Sequence, residues 1–211
     1  MNTAREDILN ALRGRVRRSE SPPAPWQSRQ HFDDPIARFA DTLTSLYGEV
    51  IRATNADDAL NRLGNVLTNL GATRVAVNDE PPLAGVDLAA RWPDITWHIV
   101  GRTEGDLKSF CADADAGVTG AIAALAETGS IVVSSGPGRS RLVSLLPPVH
   151  IALVPVSCLT TDLLTWAAAR AGEWPANVVA ITGPSRTADI EQTTALGMHG
   201  PKRVIAILYG E

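Results

Sequence analysis

The chain has 211 residues, 45% of them hydrophobic and 20% charged, enough apolar material for one sizeable core, which excludes a wholly disordered protein. The formal net charge is −4, yet residues 1–30 hold six Arg against Glu6, Asp7 and Glu20, so that segment is +3 and the remainder −7. An acidic body is not built to attract a polyanion, and no nucleic-acid partner is expected for it.

Thr3 and Glu6 form a possible capping box that opens a short helix with Ile8, Leu9 and Leu12 on its apolar side and Gly14 as its stop. The cluster Arg13, Arg15, Arg17 and Arg18 reads as a solvated segment before it reads as a contact for RNA or an acidic partner. Pro22, Pro23 and Pro25 follow closely and cannot continue a helix, so residues 1–30 are expected to be a helical arm and Pro-rich linker, with residues 31–211 as a single domain.

Asp34-Pro35 starts a helix whose Ile36, Phe39, Ala40, Leu43, Leu46 and Tyr47 fall on one face. Strands and helices then alternate. Val50-Ile51 precedes a helix with Leu60, Leu63, Val66, Leu67 and Leu70; Arg74–Val77 and Thr96–Val100 read as strands; a helix is expected from Asp106 to Ala112. Ala121–Leu125 fits strand or helix, whereas Ile131–Val133, His150–Val154, Val178–Ile181 and Arg203–Leu208 are strands, with helices near Leu142–Leu146 and Thr161–Ala171. This rhythm predicts an α/β fold, a doubly wound and mostly parallel sheet flanked by helices, with ligands bound beyond the carboxyl ends of strands.

Two loops carry the features of an anion site. In Gly136-Pro137-Gly138-Arg139 the glycines permit close backbone approach and Arg139 offers a forked donor. Gly183-Pro184-Ser185-Arg186-Thr187-Ala188-Asp189-Ile190-Glu191 reads as strand, tight turn and helix start. There Ser185 or Thr187 caps the helix, Arg186 supplies a cation, and Asp189 either lines the site or complements the helix dipole. Glu127, before Thr128 and Gly129, is the leading catalytic candidate, set against a Glu that merely bonds turn N–H groups. His199, inside Gly197-Met198-His199-Gly200-Pro201, is either a proton shuttle or a loop histidine bonded to backbone. His98 and His150 are assigned structural roles, and no His and carboxylate spacing argues for a metal.

Three blocks of this sequence resemble, in order and spacing, the lactate utilization protein C family of LUD-domain proteins. They are Gly117-Val118-Thr119-Gly120 through Arg139, then Ser144-Leu145-Leu146-Pro147 with His150, and then Gly183 through Glu191 on to Pro201. The resemblance implies a fold like the NagB, RpiA and CoA-transferase group. It also implies a subunit of a system oxidising L-lactate to pyruvate, in which separate iron–sulfur proteins carry the electrons and this chain binds a small anionic ligand without being catalytic alone. The two cysteines, Cys111 and Cys158, agree with that division: they cannot make a four-thiolate site, so iron–sulfur clusters are expected only on partners. They also suit a reducing compartment, and with neither signal region nor membrane-length apolar run the expected location is the cytoplasm. The alternative is an autonomous enzyme of CoA-transferase or formyltetrahydrofolate cyclo-ligase type using Glu127, although those transferases carry Glu-Asn-Gly where this chain has Glu-Thr-Gly.

Overall fold

The computed structural model describes residues 3–15, 28–170, 172, 174–188 and 194–210. In chain order it contains α1 (Thr3–Arg15), α2 (Pro35–Ser45), β1 (Glu49–Ala53), α3 (Ala56–Leu70), β2 (Arg74–Val77), α4 (Leu88–Arg91), β3 (Thr96–Ile99), α5 (Leu107–Ala112), β4 (Ala116–Thr119), β5 (Ala123–Leu125) and β6 (Ser130–Ser134). It continues with α6 (Leu142–Leu145), β7 (Val149–Pro155), β8 (Leu159–Thr160), α7 (Leu163–Ala169), β9 (Val178–Ile181), β10 (Arg186–Ala188), β11 (Thr194–Leu196) and β12 (Arg203–Tyr209). Among the described residues no helix is long and apolar enough to cross a membrane.

The helix starts follow one local rule. Asp34, Asn55, Asp87, Asp106 and Asp162 each accept a hydrogen bond from the backbone N–H three residues on, which satisfies a donor that the first helical turn leaves unpaired. Pro35 adds a preset first residue to α2, and Gly71, at φ 62°, closes α3 in the left-handed region.

Six strands pair in the order β1-β12-β7-β4-β2-β3, and every pair is parallel. Such a sheet must be covered on both faces, and the apolar residues sort accordingly. On one face Leu60, Leu63 and Leu67 of α3 pack on Val75, Val77, Val118, Ile151, Leu153, Ile205 and Ile207. On the other, Phe39 and Leu43 of α2, together with Ala124, Ala126, Ile131 and Val133, cover Ala152, Val154, Val204, Ala206 and Leu208. Cys111 of α5 and Val143 of α6 close over Ala76. The α/β architecture expected from the alternation is present.

Two expectations change. The strands β5, β6 and β9 stand outside the parallel sheet, in a second sheet ordered β8-β5-β6-β9 where β6 runs antiparallel to both neighbours. The four residues between β5 and β6 are too few for a crossover, so the two must pair antiparallel. Downstream of Pro184 the chain forms the antiparallel pair β10 and β11 where a helix was expected. Thr187, at the centre of β10, is β-branched and suits a strand as well as a cap. Asp189 and Glu191 lie outside the described residues, as do Arg17, Arg18 and Pro22, Pro23 and Pro25.

Gly117 explains part of the glycine-rich middle. It sits in β4 directly beneath α6, and a Cβ there would fall inside contact distance of the Val143 carbonyl oxygen and 3.1 Å from Pro147 Cγ. Because the obstacle is helix backbone, it cannot rotate away. Gly117→Ala is expected to destabilise the fold by about 3 kcal/mol or more, read as a shift in the urea midpoint.

His150 of β7 is fully buried, its Nε2 lies 2.9 Å from Thr119 Oγ1, and its Nδ1 has no partner among the described residues. Burial pushes its pKa down to about 4 from 6.5. Between those values the unfolded chain binds a proton that the fold refuses, so the stabilisation is complete above pH 6.5 and is lost as pH falls toward 4, on the order of 3 kcal/mol. Urea titrations at pH 7, 5.5 and 4.5 should show this decline, and His150→Gln should flatten it.

Candidate functional site

Strand order determines where a cleft opens. From β2 the chain proceeds outward to the edge strand β3, while β4 returns to the other side of β2 and leads on toward β7 and β12. The loops after β2 and β4 therefore diverge and leave a crevice beyond the strand ends, the usual ligand position in an open α/β sheet. A cavity of about 450 Å³ lies there, lined by Asp79, Glu80 and Pro81 after β2, Gly120 to Ile122 after β4, Pro137 and Arg139, and the ends of β7 and β12 at Pro155 and Tyr209.

The crevice is tied together by polar side chains. Glu80 Oε1 accepts from the Gly120 N–H at 2.9 Å and from Asn78 Nδ2 at 3.1 Å. Asn78 is buried, and its Oδ1 accepts from the Ser140 N–H at 3.0 Å. Asp79 donates its N–H to the Gly138 carbonyl at 2.8 Å, and its carboxylate takes the Arg102 Nε at 2.6 Å. These bonds fix the loop after β6 against the loop after β2, and each buried polar atom named here has its partner.

The glycines of Gly136-Pro137-Gly138-Arg139 have distinct tasks. Gly138, at φ 69°, would carry a Cβ only 3.2 Å from Asp79 Cβ. Gly136 and Arg139 exchange backbone bonds at 3.2 and 2.9 Å, and the Arg139 guanidinium lies across Gly136, its Nη2 3.0 Å from where a Cβ would stand. Arg139 makes no side-chain hydrogen bond to any described residue, leaving its forked donors to the crevice it lines.

The other candidates lie elsewhere. Glu127 is in the turn from β5 to β6, its N–H bonded to Thr161 O at 2.9 Å and its Oε1 accepting from Gln30 Nε2 at 2.6 Å. Beside it Gly129, at φ 63°, rests on α2 so closely that a Cβ would sit 2.5 Å from Leu43 N. Thr128, Ser130 and Thr182 form a hydroxyl chain with steps of 2.7 and 2.8 Å. This turn is at the opposite end of β6 from Gly136, roughly 13 Å away at the rise of a strand.

The second Gly-Pro loop shares that far end. Because β9 is antiparallel to β6, with Ile181 opposite Ile131 and Val178 opposite Ser134, Gly183 leaves the sheet where Glu127 does and not where Gly136 does. Gly183, at φ 120°, packs on Leu46. Ser185 donates to Pro201 O at 2.9 Å, accepts from Gly197 N at 2.8 Å, and receives the His199 N–H on Oγ at 3.4 Å. The Arg186 guanidinium lies 5.4 Å from the centre of the Tyr47 ring. The Ser185 backbone is thus already paired, and among the described residues Arg186–Ala188 form a strand and not the first turn of a helix. His199 is exposed.

Of the residues singled out in the sequence, the crevice gathers Gly136, Gly138 and Arg139, and leaves Glu127, Thr128, Gly129, Gly183, Ser185, Arg186 and His199 apart. It also brings in Asn78, Asp79, Glu80 and Arg102, which sequence reasoning passed over. Their signal was the polar run Asn78-Asp79-Glu80 directly after the apolar strand Val75–Val77, closed by Pro81-Pro82.

Comparison with known proteins gives a consistent picture. The chain is 31% identical to lactate utilization protein C of Halalkalibacterium halodurans, over 97% of this chain and 96% of that one. It is also 31% identical to lactate utilization protein C of an Exiguobacterium species, over 98% and 96%. Among solved structures, a DUF162 family protein from Deinococcus radiodurans has the same fold, with a TM-score of 0.55 at 22% identity over 83% of this chain and 96% of that one. The LUD domain model matches residues 36–209, and the chain belongs to the LUD domain family.

Proposed function

We propose that this chain serves lactate utilization as a ligand-binding subunit of a lactate-oxidising system, with a small anion held at Arg139 and the iron–sulfur clusters carried by separate partner proteins. The observation that carries the reading is the likeness to lactate utilization protein C, which runs the length of both chains in two relatives. The thiols favour the same division of labour. Burial pushes Cys111 up to about 11, with the Asp106 charge adding to the effect, and Cys158 up to about 12. Two cysteines cannot supply the four thiolates of a cluster.

The test is recovery of the tagged chain from its own cells grown on L-lactate, with lactate-dependent dye reduction measured beside the purified chain. Activity and iron are expected only in the recovered complex. Turnover by the purified chain alone, or recovery of a solitary inactive chain, would overturn the reading.

The alternative, acyl transfer through Glu127, has the weaker geometry, because that carboxylate is bonded to Gln30 and is distant from the crevice. After incubation of the chain with a panel of acyl-CoA donors and hydroxylamine, mass spectrometry should find the Glu127 peptide unmodified. A hydroxamate on Glu127 would establish the transferase reading instead.

A further inference from the structure

The described body leaves α1 uncovered. Of residues 3–14 only Leu9 is partly buried, while Ile8 is 61% and Leu12 57% exposed. Ile8 and Leu12 stand one turn apart and share a face with Arg5, with Glu6 and Asn10 toward the far side. A helix of this length is marginal in water by itself, and most helical stability in proteins comes from packing such a face. Another surface has to supply that packing.

Helix α7 offers one. Its seven residues, Leu-Leu-Thr-Trp-Ala-Ala-Ala, include no charge. Trp166 packs inward on Ala123, Leu125 and Val132, which leaves Leu163 50% and Leu164 47% exposed. Thr165, Ala168 and Ala169 line a hollow of about 390 Å³ together with Ser28. Small residues on a helix make the groove into which a neighbouring helix sets its larger side chains.

The tether decides whose α1 lies there. The body begins at Ser28, whose hydroxyl bonds to the Asp162 carboxylate at the head of α7, and Gln30 is tied to Glu127. The arm thus starts beside α7 itself. Residues 16–27 include Pro22, Pro23 and Pro25, and proline-rich sequence acts as a semi-rigid spacer. Such a spacer opposes the reversal that would lay α1 beside its own tether, whereas twelve residues at the extended rise reach roughly 37 Å toward a neighbour. Charge favours that neighbour being a second copy, since residues 1–30 are +3 and the remainder −7.

We infer that two copies of this chain exchange arms, α1 of each lying on α7 of the other, with Ile8 and Leu12 set against Leu164 and Ala168. The exchange is reciprocal and closes on itself, so it stops at a dimer. It adds a self-association surface to the role proposed above and does not depend on that role.

The experiment is sedimentation velocity over a concentration series on the full chain, on Leu12→Asp, on Leu164→Asp, and on an equal mixture of the two variants. The unaltered chain is expected to form a dimer. Each variant should raise the dissociation constant at least about tenfold, because a charge replaces buried apolar area. The mixture should associate more tightly than either variant alone, since the arm of the Leu164→Asp chain and the α7 of the Leu12→Asp chain are both intact and make one sound contact. Circular dichroism checks that each variant is folded, and Ile8→Asp and Ala168→Asp probe the same two surfaces where one is not. A monomeric unaltered chain overturns the inference, leaving α1 to its own body or to a different protein. A dimer that resists either substitution overturns it, because the contact requires both helices. A mixture no tighter than its parts overturns the exchange as well.

Discussion

The hydrogen bond from the Gly120 N–H to Glu80 Oε1 joins the two loops that diverge at the centre of the parallel sheet. It spans the point from which strand order sends the chain in opposite directions. Close packing enforces the bond. A Cβ on Gly120 would stand 2.9 Å from the Pro81 carbonyl and 3.1 Å from Glu80 Cγ, so the backbone of one loop lies directly on the other. The buried Asn78 then extends the tie to Ser140, and the loop bearing Arg139 becomes part of the same unit. One carboxylate oxygen thus carries the tie, while the other takes no hydrogen bond from a described residue.

Arg139 reaches this crevice by an unusual route. Its loop belongs to the small second sheet, whose β6 packs Ile131 and Val133 against the large sheet and α2. The crevice cation and the crevice carboxylate therefore come from different sheets, and their relative position depends on the apolar contact between the two. Gly129 contributes from the far end of β6, where absence of a side chain lets the turn seat on Leu43 of α2. The glycines that sequence reading associated with a ligand divide between these duties: Gly138 lets the loop touch Asp79, while Gly117 and Gly129 let secondary structure elements approach one another.

Local patterns carried much of the fold. Apolar spacing located α2 and α3, the aspartates before helices marked their starts, and the alternation of elements gave the α/β class. What the sequence could not reveal was which strands shared a sheet. Ile131–Val133 and Val178–Ile181 are as apolar as any strand of the parallel sheet, and their antiparallel partnership is decided by tertiary packing and connection length. That single topological fact moved the two Gly-Pro loops to opposite ends of a strand pair. The hairpin after Pro184 was misread for a related reason: a serine, a threonine and acids at helix-cap spacing satisfy the cap rule, but the Ser185 backbone is paired by Pro201 and Gly197, residues more than ten positions away. Glu80 was overlooked because a polar residue after a strand is also what any loop contains. Its meaning comes only from the strand order that places Gly120 across from it.

The separation of the two loop regions bears on what one chain can do. The crevice is lined by Asp79, Glu80 and Arg139, and the turn that holds Glu127, Thr128 and Ser130 offers hydroxyls and a carboxylate roughly 13 Å away along β6. Proton transfer demands contact or a single intervening water, so at that separation the two sets of groups described here do not act on one reacting atom.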